Sequence, residues 1–371
     1  MKIVIAPDSF KGTLSAADAA QAIARGLRQV WPAAELCLHP MADGGEGTLA
    51  AIAAAVPADW RQAEVHDLAG QLRQVRWLQL PDGAAVLESA EVVGLGLAGD
   101  CPVPRRSSLG LGELLLQVLD AGCRRVLIGL GGTGSNDGGA GLLAAVGAEL
   151  LDKDGERVTP DLAGLADLAS LSLAHLDPRL AETRLQVWAD VASPLAGPMG
   201  ATATFGPQKG VQADEVARYD GWLARLGLLG DQLRGQDLRL KPGSGAAGGL
   251  GWALRVLSAD MVPGAEAIAL LQRLDASLAD ADYLITGEGR SDLQTPLGKL
   301  PWRLAAMAQE AGVPAVLLSG EVVSEAQPQL AERFAHRLSL AGEGVSSQYA
   351  QQHAATLLAE RAAAWAAAHR R

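Results

Sequence analysis

The chain has 371 residues, 49% of them apolar, and carries a formal charge of −11. That length exceeds what one hydrophobic core usually serves, so two domains are expected. The acidic balance excludes the clustered Lys and Arg footprint of a nucleic-acid binder, and any anionic ligand must be held by local groups.

Two strand-then-helix units open the chain: strand Ile3 to Ala6 with a helix from Ser15 to about Val30, then strand Leu36 to His39 with a helix from Glu46 to Ala55. Ser15 suits an N-cap ahead of the run AADAAQAIARGL. From about Arg61 to Ala90 the text changes to short extended runs, AEVHDLAG, QVRWLQL and AAVLESA, joined by Gly- and Asp-containing turns, which predicts antiparallel hairpins. A helix from Leu109 to Ala121 then leads through Gly122 into strand Arg125 to Leu130, with the next helix over Gly139 to Val146. Residues 152–183 are polar and weakly patterned, suiting mixed loop and short helix. After strand Arg184 to Val191, helices are expected from about Ala213 to Leu233 and from Ala247 to Leu257. Parallel alternation resumes near Ala281: strand Tyr283 to Thr286, helix Gly298 to Ala311, strand Pro314 to Leu318, a strand near Arg337 to Ser339 and a terminal helix from about Ser346 to Ala368. The two chain ends resemble each other more than the middle. This predicts an α/β protein with a discontinuous domain of residues 1–62 and 262–371, an inserted α/β domain of residues 63–261, and the site in the cleft between them.

Five strands are followed at once by an acid among glycines, at Asp8, Asp43, Asp137, Asp190 and Glu288. Parallel sheets bind ligands where carboxyl ends of strands meet loops; glycine there admits anions to backbone N–H groups, and carboxylates hold a metal or take a proton. The pattern predicts an enzyme site for a phosphorylated compound and a divalent cation. Lys11, Lys209, Arg290 and Lys299 are the loop cations that would balance such acids, because converging unpaired carboxylates cost several kcal/mol each. Matches to G-x-G-x-x-G occur three times, but none has the following acid that a dinucleotide ribose needs, and Leu300 after Lys299 breaks the Walker pattern. The loops GLGGTGSNDGG and GSGAAGGLG still precede helices whose first N–H groups suit phosphate or carboxylate oxygens. No histidine has a partner at ligand spacing, and no G-x-S-x-G elbow marks a serine hydrolase. Cys37, Cys101 and Cys123 are too few and scattered for a disulfide framework or a zinc site, and MKIVIAPDSF is too short for a signal sequence. With no stretch of bilayer length, the expectation is a soluble cytoplasmic protein.

APDSFKGTLSA, MADGGEGT, GLGGTGSNDGGAG, ADVASPLAGPMGATATFGPQKG, GSGAAGGLG and LITGEGRSDLQTPLGKLP, in this order, closely resemble the bacterial glycerate kinases of the first type, over essentially the whole chain. The resemblance implies ATP-dependent phosphorylation of D-glycerate, usually at the 2-hydroxyl, with Mg²⁺, on two dissimilar α/β domains, one flavodoxin-like with permuted order. It leaves monomer and homodimer open. The sequence departs from the usual family text at Gly134, where Ala is usual, and at Ser193, where Asn is usual.

Asp190 is the expected base, since burial at the end of an apolar strand would fix its rotamer and raise its basicity. Arg290 suits a carboxylate or phosphate through its two-pronged fork, while Lys11 and Lys209 act as point charges on transferring oxygens. Asp43 and Glu46 are the expected metal ligands, Asp8 is a further candidate for direct or water-mediated metal contact, and Asp137 and Glu288 could instead fill that role. Substrate or nucleotide contacts are expected from Asp8, Ser9, Gly131, Gly132, Ser135, Asn136, Asp137, Gly245, Glu288 and Lys299. Two other functions fit the same residues: a kinase of another small hydroxy or sugar acid, and a non-catalytic sensor of a sugar-acid phosphate.

Overall fold

The computed structural model describes residues 1–342 and 344–369. These form two units: the first holds residues 1–43, 47–57 and those from 265 onward, the second holds residues 44–46 and 58–264. The expected limits were 62/63 and 261/262; the chain instead passes between units at 57/58 and 264/265. The physical reason is pairing, since strand Asp59–His66 is hydrogen-bonded along its whole length to Leu72–Gln79 and cannot be cut at residue 62.

The first unit is a five-stranded sheet in the spatial order Phe334–Ser339, Ala315–Ser319, Tyr283–Thr286, Lys2–Ile5, Glu35–Leu38, with every pairing parallel. Numbered along the chain within this unit, the strands run 2-1-3-4-5, the doubly wound order itself. The permuted order expected from the resemblance is therefore an interruption: the second unit's sequence enters between the second and third strands. Ile3, Ile5, Ile285, Val316 and Leu318 form the sheet's share of the core, against Ile23 and Leu27 of helix Ala16–Val30 and Leu358 and Trp365 of helix Ala354–Ala368. The terminal helix expected as one piece is two, Ser347–Gln352 and Ala354–Ala368, divided at His353.

The second unit contains a six-stranded sheet in the order Asp260–Val262, Arg184–Trp188, Arg125–Gly129, Ala85–Glu88, Leu72–Gln79, Asp59–His66. Four strands are parallel and the last two form an antiparallel edge hairpin. The run AAVLESA, expected in a hairpin, is antiparallel to Leu72–Gln79 on one side but parallel to Arg125–Gly129 on the other. All four of its strand residues are buried, which is the pattern of an interior strand. Elements with no clear signal in the sequence include the short strand Asp260–Val262, helix Ala201–Lys209, which carries Pro207 inside it, and the antiparallel pair Glu149–Leu151 and Ser170–Ser172, the second of which lies where loop and short helix were expected. No helix among the described residues is long and apolar enough to cross a membrane.

Candidate active site

In the first unit, strands Lys2–Ile5 and Tyr283–Thr286 are neighbours where the chain order of the sheet reverses, the crevice in which doubly wound sheets bind ligands. Their following loops are tied together, the Asp8 N–H donating to the Gly287 carbonyl at 2.8 Å. Asp8 is half-buried and accepts the Ser9 N–H at 2.6 Å. Burial first, then repulsion by Asp43 and by Glu288, lift its pKa to about 7 against the pull of the Ser9 N–H and Lys11. Glu288 is 8% exposed and accepts the Ser291 and Thr295 hydroxyls at 3.0 and 2.8 Å, with the Lys299 ammonium 3.6 Å from its second oxygen. Burial still pushes its pKa upward, opposed by Lys299 and the two hydroxyls. Lys299 also reaches Asp292 at 3.1 Å. Arg290 and Lys11 are exposed, and Arg290 pairs with Glu321 at 3.5 Å. Asp8, Ser9, Lys11, Asp43, Glu288 and Lys299 thus all belong to segments that follow strands of one sheet at its carboxyl edge, and Arg290 opens the short strand Arg290–Ser291, which pairs in parallel with Glu321–Val322.

In the second unit, the loop from Gly131 to Gly139 leaves strand Arg125–Gly129. Residues 44–46 lie against it: a Cβ at Gly129 would stand 2.5 Å from the Gly44 carbonyl oxygen, and one at Gly131 would stand 2.5 Å from the Gly45 Cα, so backbone meets backbone only without side chains. Glu46 and Gly132 are exposed. Asp137 is fully buried and accepts the Ser108 N–H and hydroxyl, each at 2.7 Å, with the Gly139 and Gly141 N–H groups at 3.1 and 3.2 Å. Its oxygens are occupied in fixing the loop, although burial drives its pKa upward.

Lys209 is the last residue of helix Ala201–Lys209 and only 4% exposed, and its ammonium donates to the Ser135 carbonyl at 2.6 Å. Burial, with Arg106 adding to it, lowers its pKa to about 7 despite Asp137. Arg106, which no feature of the sequence marked, is buried and donates to the carbonyls of Cys101, Gly134 and Lys209 at 2.9, 3.3 and 2.8 Å. The Asn136 amide donates to the Thr202 hydroxyl at 2.9 Å. Three buried polar atoms, Ser135 Oγ, Asn136 Oδ1 and Ser193 Oγ, have no partner among the described residues. Gly245 is buried and donates its N–H to the Ser193 carbonyl at 2.9 Å. Asp190 departs from expectation in its setting: strand Arg184–Trp188 ends two residues before it, Ala189 is the last buried position, and Asp190 is exposed. The burial expected of it is absent, and its exposure makes it reachable by a substrate.

Among the described residues no three His, Cys, Asp or Glu side chains stand at metal-ligating separation. Mg²⁺ needs no such cage, since it commonly takes one or two carboxylates and completes its shell with water and phosphate oxygens. The repulsion that Asp43 and Glu288 exert on Asp8 is an electrostatic setting that a cation there would relieve.

The chain is thus an α/β protein with acids at a sheet switch point in its first unit and, in its second, a glycine loop backed by buried cations. A family model, Glycerate kinase family, matches residues 3–370. The chain is 40% identical to Glycerate kinase of Bacillus subtilis over 96% of its own length and 94% of that protein. It is 38% identical to Glycerate 2-kinase of Escherichia coli over 88% of this chain and 86% of that one. A solved structure of a provisionally named glycerate kinase 2 from Salmonella typhimurium LT2 superposes with a TM-score of 0.86 at 37% identity, covering 99% of this chain and 98% of the other. The chain belongs to the glycerate kinase family, and its activity is that of a glycerate kinase.

Proposed function

We propose that the chain transfers the γ-phosphoryl group of ATP to the 2-hydroxyl of D-glycerate, giving 2-phospho-D-glycerate and ADP. The likeness to a relative named Glycerate 2-kinase, over 88% of the chain, carries the choice of hydroxyl. In the transfer, the glycerate oxygen forms a bond to the γ-phosphorus, the bond from that phosphorus to the bridging oxygen breaks, and the hydroxyl proton must go to a base. Asp190 takes that proton; its exposure at the carboxyl end of strand Arg184–Trp188 supports this, because a base must lie within reach of a bound hydroxyl. Lys11 and Arg290 are exposed cations that follow the carboxyl ends of strands Lys2–Ile5 and Tyr283–Thr286 and act on phosphoryl oxygens, Arg290 with two N–H groups at once. Mg²⁺ would be held by Asp8 and Asp43 and would neutralise charge on the phosphate oxygens. Glu288, Ser291, Thr295 and Lys299 form the network that fixes the loop around Arg290.

Phosphorus NMR of the product, made with ATP, Mg²⁺ and D-glycerate, tests the reading: a resonance split by the single C2 proton is expected, and coupling to two C3 protons sinks the 2-hydroxyl assignment. D190N in the folded enzyme should lower kcat by about 10²- to 10⁴-fold, the usual contribution of a positioned base. Unchanged turnover rejects Asp190 in that role.

A further inference from the structure

Residues 39–43 continue the edge strand Glu35–Leu38 as far as Asp43, and within the first unit they are held from both sides. Toward strand Lys2–Ile5, the His39 and Met41 N–H groups donate to the Ile5 and Pro7 carbonyls at 2.8 and 2.9 Å. Pro40 between them has no N–H, and the alternation of an extended backbone turns its carbonyl to the open side of the sheet. There it accepts the side-chain amide of the buried Gln272 at 2.8 Å. His39 is buried too, with Nε2 2.9 Å from the Ser277 hydroxyl. Two polar atoms are left over, His39 Nδ1 and Gln272 Oε1, neither with a hydrogen bond of good geometry to a described residue. They are complementary. Burial favours the neutral ring of His39, and hydrogen bonding from Gln272 works against that shift, so the amide stands against the ring. The backbone bends at Arg273, a non-glycine residue with φ 57° and ψ 40°, and this left-handed step brings Gln272 and Ser277, on either side of it, to the same imidazole.

Resting on the reading of Asp43 as a holder of Mg²⁺, we propose that His39 and Gln272 are positioning residues for that carboxylate. A neutral imidazole has one N–H. Carried on Nδ1, it faces Gln272 Oε1 and leaves Nε2 to accept from the Ser277 hydroxyl. The amide is then fixed with its NH₂ toward Pro40. Turned over, it would set its oxygen against the Pro40 carbonyl and its NH₂ against Nδ1–H, two mismatched pairs in a buried place. The histidine thus chooses the orientation of the amide, the amide holds the Pro40 carbonyl, and the chain just beyond Pro40 carries Asp43. The other tie, from Met41, ends on Pro7, the residue before Asp8, so the same bonds set the separation of the two acids. A cation bound by both depends on that separation.

A positioning role differs from packing in what it couples to. A residue that only fills the core changes stability, whereas one that aims Asp43 changes metal affinity and loses its influence once that carboxylate is gone. The loss should fall below the roughly 10- to 100-fold typical of a partner bonded directly to a metal ligand, because the effect travels along the chain from Pro40.

The test uses the full chain with Mn²⁺ as the probe, titrated by the loss of the free ion's paramagnetic resonance signal. D43N should weaken Mn²⁺ by about tenfold or more, and H39L by roughly three- to tenfold. D43N combined with H39L should bind within about twofold of D43N alone. H39N, whose amide N–H can stand where Nδ1–H stood, should stay within about twofold of wild type. An H39L affinity equal to that of wild type, losses that multiply in the combined variant, or an H39N as weak as H39L overturns the proposal. If H39L does not fold, the wild type decides the matter. Its ring ¹⁵N shifts, assigned by the signals missing from H39N, should show a neutral His39 protonated on Nδ1, and a ring protonated on Nε2 overturns the proposal. Unchanged Mn²⁺ affinity in D43N sinks the reading of Asp43 as a metal holder and the proposal with it, whereas a weakened D43N beside an unaffected H39L sinks the positioning role alone.

Discussion

An ionised Asp8 sits against Asp43 and Glu288 in a partly dry loop, and that cost is written into its proton affinity. The folded protein keeps the Asp8 proton up to about pH 7, while the unfolded chain releases it near the ordinary 3.8. Between those values the native state binds more protons than the unfolded state, so this group makes stability fall as pH rises from about 4 to 7 and adds no further change above that. In metal-free buffer, wild type should lose about 1–3 kcal/mol more than D8N between pH 5 and pH 8, read from urea unfolding at the two pH values. Equal losses would show that Asp8 is hydrated and far from its acidic neighbours. Added Mg²⁺ should reduce the wild-type loss and leave D8N little changed, because a cation compensates only the charged form. The acids behind this argument were legible in the sequence, since each follows a short apolar run and glycine marks the turn. Arg106 was not, because its partners are backbone carbonyls, one of them 103 positions away, and no residue type announces a carbonyl.

Helix Ala16–Val30 shows how local chemistry sets an element's start. Ser15 has extended backbone, its Oγ accepts the Asp18 N–H at 3.1 Å, and its hydroxyl donates to the Asp18 carboxylate at 2.7 Å. Asp18 in the first turn also complements the helix dipole. S15A should therefore cost about 1 kcal/mol of stability, measured by urea unfolding, and a change below a few tenths would mean that water replaces the cap. This boundary could be read from the residues because cap and apolar stripe lie within one turn of each other. Strand Ala85–Glu88 could not: its pairing with Arg125–Gly129 depends on a helix, Leu109–Asp120, that carries the chain back, and four buried residues give no alternation to read. Asp260–Val262 is shorter still, three residues whose parallel partner is Arg184–Trp188, more than seventy positions earlier. The strand-then-helix rhythm of the chain ends was readable for the opposite reason, since each parallel crossover there has its own helix.

At the scale of the whole molecule, the charge of −11 opposes the approach of substrates that are themselves anions, and only local cations favour them. The two contributions respond differently to salt. Repulsion from a dispersed net charge acts over tens of ångströms and is cut strongly when the Debye length falls from about 30 Å at 0.01 M to about 8 Å at 0.15 M. A direct contact with a cation inside a site is short and shielded from ions, so salt weakens it little. The difference in long-range repulsion on a single negative charge is on the order of 0.5 kcal/mol over that range. The KM for D-glycerate should therefore fall about two- to threefold as KCl is raised from 10 to 150 mM at fixed pH, and the KM for ATP, with its greater charge, should fall further. A KM for D-glycerate that rises with salt would mean that exposed cations such as Lys11 and Arg290 dominate its capture.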